Sequence, residues 1–173
     1  IDEDKKTVAA FAGNFKTAPR KGVDFLSGYC AVKPAPADIV ITTNGGYPLD
    51  QNAYQCPKGM SAAEATVNDG GVIIMLATCQ DGHGGESYYH SIADAESADA
   101  FFQQCLHTPQ VETLPDQWCA QIWCRIVRKY KVLFVADKAQ EQLIRDLKVE
   151  YFETLDEAYS RARELKGPDA TLT

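Results

Sequence analysis

The apolar segment at residues 38 to 42 constrains the fold most, because it runs directly into a turn rich in Gly and Pro at residues 43 to 48. It predicts a strand over 39 to 43. Helical spacing follows from about residue 52 to 67, and a second apolar strand is predicted at 71 to 77. Two strands joined by one helix are typical of a βαβ unit with parallel strands. In open α/β sheets, ligands bind where such strands end.

The rest of the chain continues the alternation of strand and helix patterns. A first strand is expected at residues 8 to 13, before helical spacing at 22 to 32. Later segments predict helices at 97–105, 117–130, 139–147 and 156–165, with strands at 131–136 and 151–152. No repeat or long linker interrupts the pattern. The sequence therefore predicts one α/β domain over residues 1–173, with a mainly parallel sheet built from βαβ units and helices on both faces.

Composition and charge exclude several classes of partner. The chain has 173 residues, 45% hydrophobic and 24% charged, which is enough for a compact unit with its own core. Its formal net charge of -7 opposes binding to nucleic acids and to anionic membranes. No apolar run approaches the roughly 20 residues of a membrane-spanning helix, and no signal-peptide pattern is present. We therefore expect a cytoplasmic protein without nucleic-acid or membrane partners.

Three polar side chains, Tyr54, Gln55 and Lys58, follow the first turn closely. Residues three or four apart share a helix face, so Tyr54 and Gln55 can each approach Lys58. Pro57 fits best in a first helical turn, which predicts a helix start near Cys56. A phenol, an amide and an ammonium suit a small carboxylate with an adjacent oxygen. The alternative is a solvated helix face, which residue chemistry alone favours.

The histidines and cysteines do not form a metal-binding pattern. His83, His90 and His107 show no i, i+4 pairing, and the six cysteines include no C-x-x-C pair. We expect no metal ligand in this chain and mostly buried thiols. Cys56 is the expected exception, because it lies between Gln55 and Lys58.

Residues 43–64, TNGGYPLDQNAYQCPKGMSAAE, resemble the C-terminal domain of the lactate racemase family, nickel-dependent enzymes that invert 2-hydroxy acids. Residues 70–75, the loop DGHGG at 81–85 and the PDQW segment at 115–118 resemble the family too, so most of the chain is covered. Cys56-Pro57 departs from the small or apolar pair that is usual there.

The resemblance implies a larger N-terminal domain that this chain lacks, and the first residue, Ile1 rather than Met, agrees with a piece of a longer protein. That domain would carry the nickel-pincer nucleotide and a pair of acid/base His residues. No catalytic residue and no bound cofactor are therefore expected in this chain. We expect the full-length protein to be an isomerase and this chain alone to be inactive.

The resemblance further implies that Tyr54, Gln55, Lys58 and Trp118 bind substrate from the wall opposite the cofactor. The implied partners are the protein's own N-terminal domain and a small 2-hydroxy acid. Trp118 follows Asp116, a predicted helix N-cap, and so can overhang a cleft; a buried structural Trp is the alternative. Trp123 is predicted to lie in the core.

A second class of function stays open from the residues alone: a non-catalytic ligand-binding or interdomain interaction α/β domain. The Asn44-Gly45-Gly46 turn could cradle a phosphate, yet Tyr47-Pro48 follows where a phosphate-binding helix should begin. Neither common nucleotide-binding glycine motif is present. The loop at residues 81–85 is a candidate lid or domain contact.

Overall fold

The computed structural model describes all 173 residues, which form two compact units, Ile1–Pro34 and Ala35–Thr173. The first unit contains helix α1, Thr17–Cys30. This helix confirms the helical spacing predicted at residues 22 to 32. The strand predicted at residues 8 to 13 is wrong, because that segment pairs with no other strand.

Aromatic packing explains why the segment before α1 is not a strand. The ring of Phe11 lies 5.6 Å from that of Phe25, and Phe25 lies 5.1 Å from Tyr29 one turn further along α1. Phe11 therefore packs against a helix face, where its apolar surface is partly covered without a strand partner.

The second unit is an α/β domain with a four-stranded sheet in the order β1-β2-β3-β4. All three neighbouring pairs are parallel. The strands are β1 (Ala37–Thr43), β2 (Val67–Leu76), β3 (Lys131–Val135) and β4 (Glu150–Phe152). The predicted α/β fold with a parallel sheet is confirmed within Ala35–Thr173.

Six helices surround this sheet. They are α2 (Pro57–Glu64), α3 (Glu86–Ala93), α4 (Ala98–His107), α5 (Gln117–Val127), α6 (Glu141–Asp146) and α7 (Leu155–Lys166). Five of them match predicted helices. Helix α3 was not predicted, since only Tyr88 and Ile92 are buried on it and two positions give a weak periodic signal.

The helices cover both faces of the sheet, as predicted. Alternate side chains of β2 point to opposite faces, so Ile73 and Ile74 belong to different clusters. Ala158 and Ala162 of α7 pack on the face that contains Ile74. Buried side chains of α2 to α6 pack on the other face, which includes Trp123 of α5. No helix in the structure has both the length and the apolar character that a membrane crossing requires.

The outer edge of β1 is covered by residues 171–173. The amide of Ile39 donates to the carbonyl of Thr171 at 3.0 Å, and that of Ile41 donates to Thr173 at 2.8 Å. Ile39 also forms a parallel bridge with Leu172. Edge-strand backbone groups that would otherwise face water are therefore paired.

Candidate functional site

The turn after β1 is shaped by two glycines and one asparagine. Gly45 and Gly46 have φ of 86° and 84°, a region that glycine enters without steric cost. The side-chain amide of Asn44 donates to the carbonyl of Leu49 at 3.1 Å and accepts from the amide of Gly59 at 3.0 Å. Asn44 therefore holds the turn against the first turns of α2.

Helix α2 approaches the end of β1 very closely at Gly59. A Cβ on this residue would lie 2.8 Å from Oδ1 of Asn44 and 2.9 Å from the carbonyl oxygen of Thr43. Thr42 also donates from Oγ1 to the carbonyl of Gly59 at 3.0 Å. The absence of a side chain here allows α2 to carry Lys58 next to the strand end.

Tyr54 and Gln55 lie in a short 3-10 turn, Ala53–Gln55, and α2 begins at Pro57. This confirms the helix start that Pro57 predicted. Nζ of Lys58 donates to Oε1 of Gln55 at 2.5 Å. Lys58 is exposed, whereas Tyr54 and Gln55 are half-buried. The structure thus brings the predicted ammonium and amide into direct contact.

Two cavities flank Lys58. One, of about 270 Å³, lies on the side of the β1 turn and is lined by Thr43, Asn44, Leu49, Gln55, Lys58, Gly59 and Ala62. The other, of about 230 Å³, lies on the side of α5 and is lined mainly by apolar surface from Tyr54, Pro57, Lys58, Ser61, Trp118, Cys119 and Ile122. Tyr54, Lys58 and Trp118 therefore share one cavity, and Gln55 lines the adjacent one.

Tyr54 is the centre of an aromatic cluster. Its ring meets that of Trp118 edge-on at 6.2 Å and that of Tyr88 at 5.5 Å. Its hydroxyl donates to Oδ1 of Asp116 at 3.1 Å. Burial raises the pKa of Tyr54, and the hydrogen bond to Asp116 raises it further, because both favour the neutral phenol.

The start of α5 places Trp118 in the first helical turn, as predicted. Trp118 is 56% exposed, so the alternative of a buried structural Trp does not hold. Trp123 is fully buried and donates from Nε1 to the carbonyl of Leu147 at 2.8 Å, which confirms its place in the core.

Asp116 occupies the N-cap position of α5, yet its side chain makes no capping hydrogen bond. The predicted capping role is therefore wrong. With φ of 61° and ψ of 0°, its backbone is left-handed and directs the carboxylate to Tyr54 instead. Sequence spacing gives no signal for this contact, since the two residues are 62 positions apart.

The loop at residues 81–85 forms backbone hydrogen bonds with the short turn that contains Tyr54. The carbonyl of His83 accepts from the amide of Tyr54 at 3.0 Å, and that of Gly82 accepts from Ala53 at 3.0 Å. Gly84 has φ of 78°, and a Cβ there would lie 2.5 Å from Cγ of Asn52. The loop thus fixes the backbone that carries Tyr54, a contribution that sequence reasoning missed.

Cys56 is fully buried, which corrects the expectation that it would be an exception among mostly buried thiols. A hydrogen bond with Cys79, together with burial, raises its pKa well above the ordinary value of 9.0. All six cysteines are free. Cys119 lies under the site, where its Sγ donates to the carbonyl of Tyr54 at 3.4 Å.

A third cavity, of about 280 Å³, lies at the carboxyl ends of the strands, where α/β sheets commonly bind ligands. Asp50, Asp137 and Glu153 are among its lining residues. Three carboxylates oppose an anionic ligand, whereas the ammonium of Lys58 attracts one. The cavities beside Lys58 are therefore the better site for a small carboxylate.

The site combines an anion-binding group with an apolar wall. Lys58 supplies a positive charge, Gln55 an amide, and Tyr54 and Trp118 aromatic surface. Nowhere in the structure do three His, Cys, Asp or Glu side chains come together as a metal site. The arrangement can hold and orient a small carboxylate against aromatic rings.

Comparison with known proteins gives the same family throughout. Residues 32–173 match the family model described as the lactate racemase C-terminal domain. The lactate racemase of Lactiplantibacillus plantarum is 47% identical over 173 residues, covering 100% of this chain and 41% of that protein. The lactate racemase of Thermoanaerobacterium thermosaccharolyticum is 44% identical over 172 residues, covering 99% of this chain and 40% of that protein.

A solved structure is similar as well. The lactate racemase apoprotein from Thermoanaerobacterium thermosaccharolyticum has a TM-score of 0.92 and 44% identity, covering 100% of this chain and 42% of that one. The chain therefore spans about two fifths of the length of the curated relatives that it matches.

Proposed function

This chain belongs to the lactate racemase family through its C-terminal domain, and on that premise we propose that the full-length protein is a nickel-pincer-dependent racemase or epimerase of 2-hydroxy acids. In this proposal the chain binds and orients the substrate opposite the cofactor. The contact between Lys58, which lines both cavities, and Gln55, which lines one of them, is the observation that carries it.

Lys58 binds the substrate carboxylate by charge, since its ammonium is exposed and has no acidic partner within 4.0 Å. Gln55 has a free amide NH₂ beside that ammonium and donates to a second oxygen. Inversion at a carbon requires a planar intermediate to turn without leaving the site. A carboxylate held by a fixed ammonium restricts that motion to the atoms around the reacting carbon.

Tyr54 and Trp118 provide the wall of the cavity next to Lys58. Aromatic surface excludes water from the substrate, which strengthens the ionic contact to Lys58. In this proposal the residues of this chain thus bind the substrate, orient it and remove water from it.

The side chains at this site do not fit a nickel site, because an ammonium, an amide, a phenol and an indole are poor metal ligands. We assign the nickel-pincer nucleotide, and the acid/base residues, to the part of the full-length protein outside this chain. The chain by itself is accordingly inactive in this proposal. A cytoplasmic location is part of the same proposal.

The test is carried out on the full-length protein, with nickel content measured by mass spectrometry and racemisation measured by chiral chromatography. Small, aromatic, dicarboxylic and sugar-derived 2-hydroxy acids are screened, with lactate as the first substrate. Nickel binding with inversion of one of these acids is the expected result. Nickel-loaded protein that inverts none of them would refute the proposal and favour a ligand-binding or interdomain interaction domain. Turnover by the chain alone would refute the assignment of the chemistry to the missing part.

A further inference from the structure

The hydroxyl of Tyr54 has one proton, and Asp116 accepts it at 3.1 Å. This bond joins the turn before α2 to the start of α5, although the two residues are far apart in sequence. Trp118 lies two positions beyond Asp116, and its ring meets that of Tyr54 at 6.2 Å. The bond therefore connects the two segments that supply Tyr54 and Trp118 to the apolar cavity beside Lys58.

Asp116 has a left-handed backbone conformation, which residues other than glycine rarely adopt. The left-handed region is unfavourable for residues with a Cβ, although Asp and Asn tolerate it best. At two other helix starts the N-cap side chains do bond to their own helix: Ser97 accepts from Ala100 at 3.1 Å, and Thr154 from Glu157 at 3.3 Å. Asp116 makes no such bond to α5. Its carboxylate accepts the hydrogen bond from the Tyr54 hydroxyl instead.

Neighbouring residues hold the backbone and the ring of Tyr54, whereas its hydroxyl depends on a single hydrogen bond. The backbone is held by His83, and Cys119 donates to its carbonyl. Gly85 and Tyr88 pack near the ring: a Cβ on Gly85 would lie 3.5 Å from Cδ2 of Tyr54, and the two tyrosine rings meet edge-on. Only Asp116 bonds the hydroxyl.

Resting on the racemase function proposed above, we propose that Asp116 is a positioning residue of that reaction, acting through Tyr54. It fixes the phenol against Trp118 by accepting the one hydrogen bond that the hydroxyl can donate. Tyr54 then cannot donate to the substrate carboxylate at the same time. The carboxylate is therefore bound by Lys58 and Gln55, and Tyr54 acts as an oriented wall.

Two variants of Asp116 separate its side chain from its backbone. Asp116→Gly removes the carboxylate and keeps a residue that accepts positive φ. Asp116→Asn keeps a hydrogen-bond acceptor and also tolerates this conformation. Ser97→Ala is the matched control, because it removes an N-cap bond from α4 without touching Tyr54.

The first measurement needs no activity and uses this chain. The pKa of Tyr54 is obtained by spectrophotometric titration of each variant, with Tyr54→Phe to assign the signal among the eight tyrosines. Loss of the acceptor in Asp116→Gly should lower the pKa of Tyr54, since the bond favours the neutral phenol. Ser97→Ala should leave that pKa at the value of the parent chain. An unchanged pKa in Asp116→Gly would overturn the pairing.

The second measurement is a double-mutant cycle in the full-length enzyme. Asp116→Gly should lower kcat by roughly 10–100-fold, the effect of misplacing a positioned group. Asp116→Asn should keep kcat within about threefold of the parent. Because Asp116 acts through the Tyr54 hydroxyl, adding Tyr54→Phe to Asp116→Gly should cost little more than the larger single loss.

The outcomes separate this proposal from the racemase proposal. Independent, additive losses in the cycle would show that Asp116 does not act through Tyr54. A kcat for Asp116→Gly equal to that of Ser97→Ala would reduce Asp116 to a structural residue and overturn the proposal. A full-length parent protein without any racemase activity would instead refute the proposed function, and the titration would still decide whether Asp116 accepts the hydrogen bond from the Tyr54 hydroxyl.

Discussion

The ammonium of Lys58 and the amide oxygen of Gln55 are joined by a 2.5 Å hydrogen bond across three residues of sequence. The bond orients the amide, because its oxygen is occupied by Lys58 and its NH₂ group is left as a donor. Both side chains therefore present donors to the cavities beside them. A carboxylate, which offers only acceptors when ionised, is complementary to this pair.

Lys58→Ala in the full-length enzyme should lower kcat by several orders of magnitude and raise KM. A charge-assisted bond to a carboxylate contributes roughly 1.5–3 kcal/mol, and loss of orientation adds to that. Steady-state racemisation kinetics measure both constants. Lys138→Ala is the matched control, since Lys138 is also an exposed lysine of this domain but lines neither cavity beside Lys58. Near-normal kinetics of Lys58→Ala would remove this residue from the site.

Gln55→Ala should mainly lower kcat with a smaller change in KM, if its amide follows an oxygen that moves during inversion. Gln55→Glu should be worse, because the new carboxylate repels the substrate and also pairs with Lys58, its present neighbour at 2.5 Å. The kinetics of both variants are compared with those of Lys58→Ala. Pure KM effects of equal size for Gln55→Ala and Lys58→Ala would contradict this division of roles.

Gly59→Ala should destabilise the domain by roughly 1–3 kcal/mol, since the added methyl group would overlap Asn44 and the backbone of Thr43. Chemical denaturation of this chain measures the free energy of unfolding. Gly28→Ala in α1 is the control, because a Cβ there meets nothing within 4 Å. It should be neutral or stabilising by about 0.5–1 kcal/mol. Equal stability of the two variants would contradict the close approach of α2 to β1.

Acid should weaken the pairing between β1 and residues 171–173 through Asp38. Hydrogen bonds from Asn68 and Thr171 lower the pKa of Asp38 from 3.8 to about 2. The lowered pKa means that the contribution of Asp38 to stability is present above about pH 4 and is lost as the pH falls toward about 2. Asp38→Asn should therefore be less stable than the parent above about pH 4 and approach it at about pH 2, in denaturation at a series of pH values. Parallel pH profiles would contradict this role.

Thiol titration should show one fast-reacting cysteine per native chain. Cys30 is exposed, Cys105 is half-buried and the other four are buried. Burial raises the pKa of Cys119 and of Cys124 to about 12, which suppresses the reactive thiolate at neutral pH. Cys30→Ser should abolish the fast phase, and all remaining thiols should react in denaturant. A second fast thiol in the Cys30→Ser variant would contradict the buried placement.

Sequence reasoning succeeded where a signal is local. The strands β1, β2 and β3 each contain a short run of apolar residues, and Pro57 marks the start of α2 because proline loses little in a first helical turn. Lys58 and Gln55 meet because three positions bring side chains to the same side.

The contacts that sequence missed are not local. Tyr54 and Asp116 meet only after α2 and α5 have packed, and the Asp116 backbone has a conformation that its residue type permits but does not require. The support of Tyr54 by His83 uses a backbone carbonyl, which every residue has. Residue identity therefore could not indicate either contact.

The pairing of β1 with residues 171–173 sets an order of events during synthesis. Asp38 and Thr171 are 133 positions apart, a delay of roughly 7–27 seconds at about 5–20 residues per second. Through that interval the outer edge of the strand that leads to the Lys58 site is unpaired on the nascent chain. The outer edge of β1 is thus open to strand addition by a neighbouring nascent chain until residues 171–173 have left the ribosome.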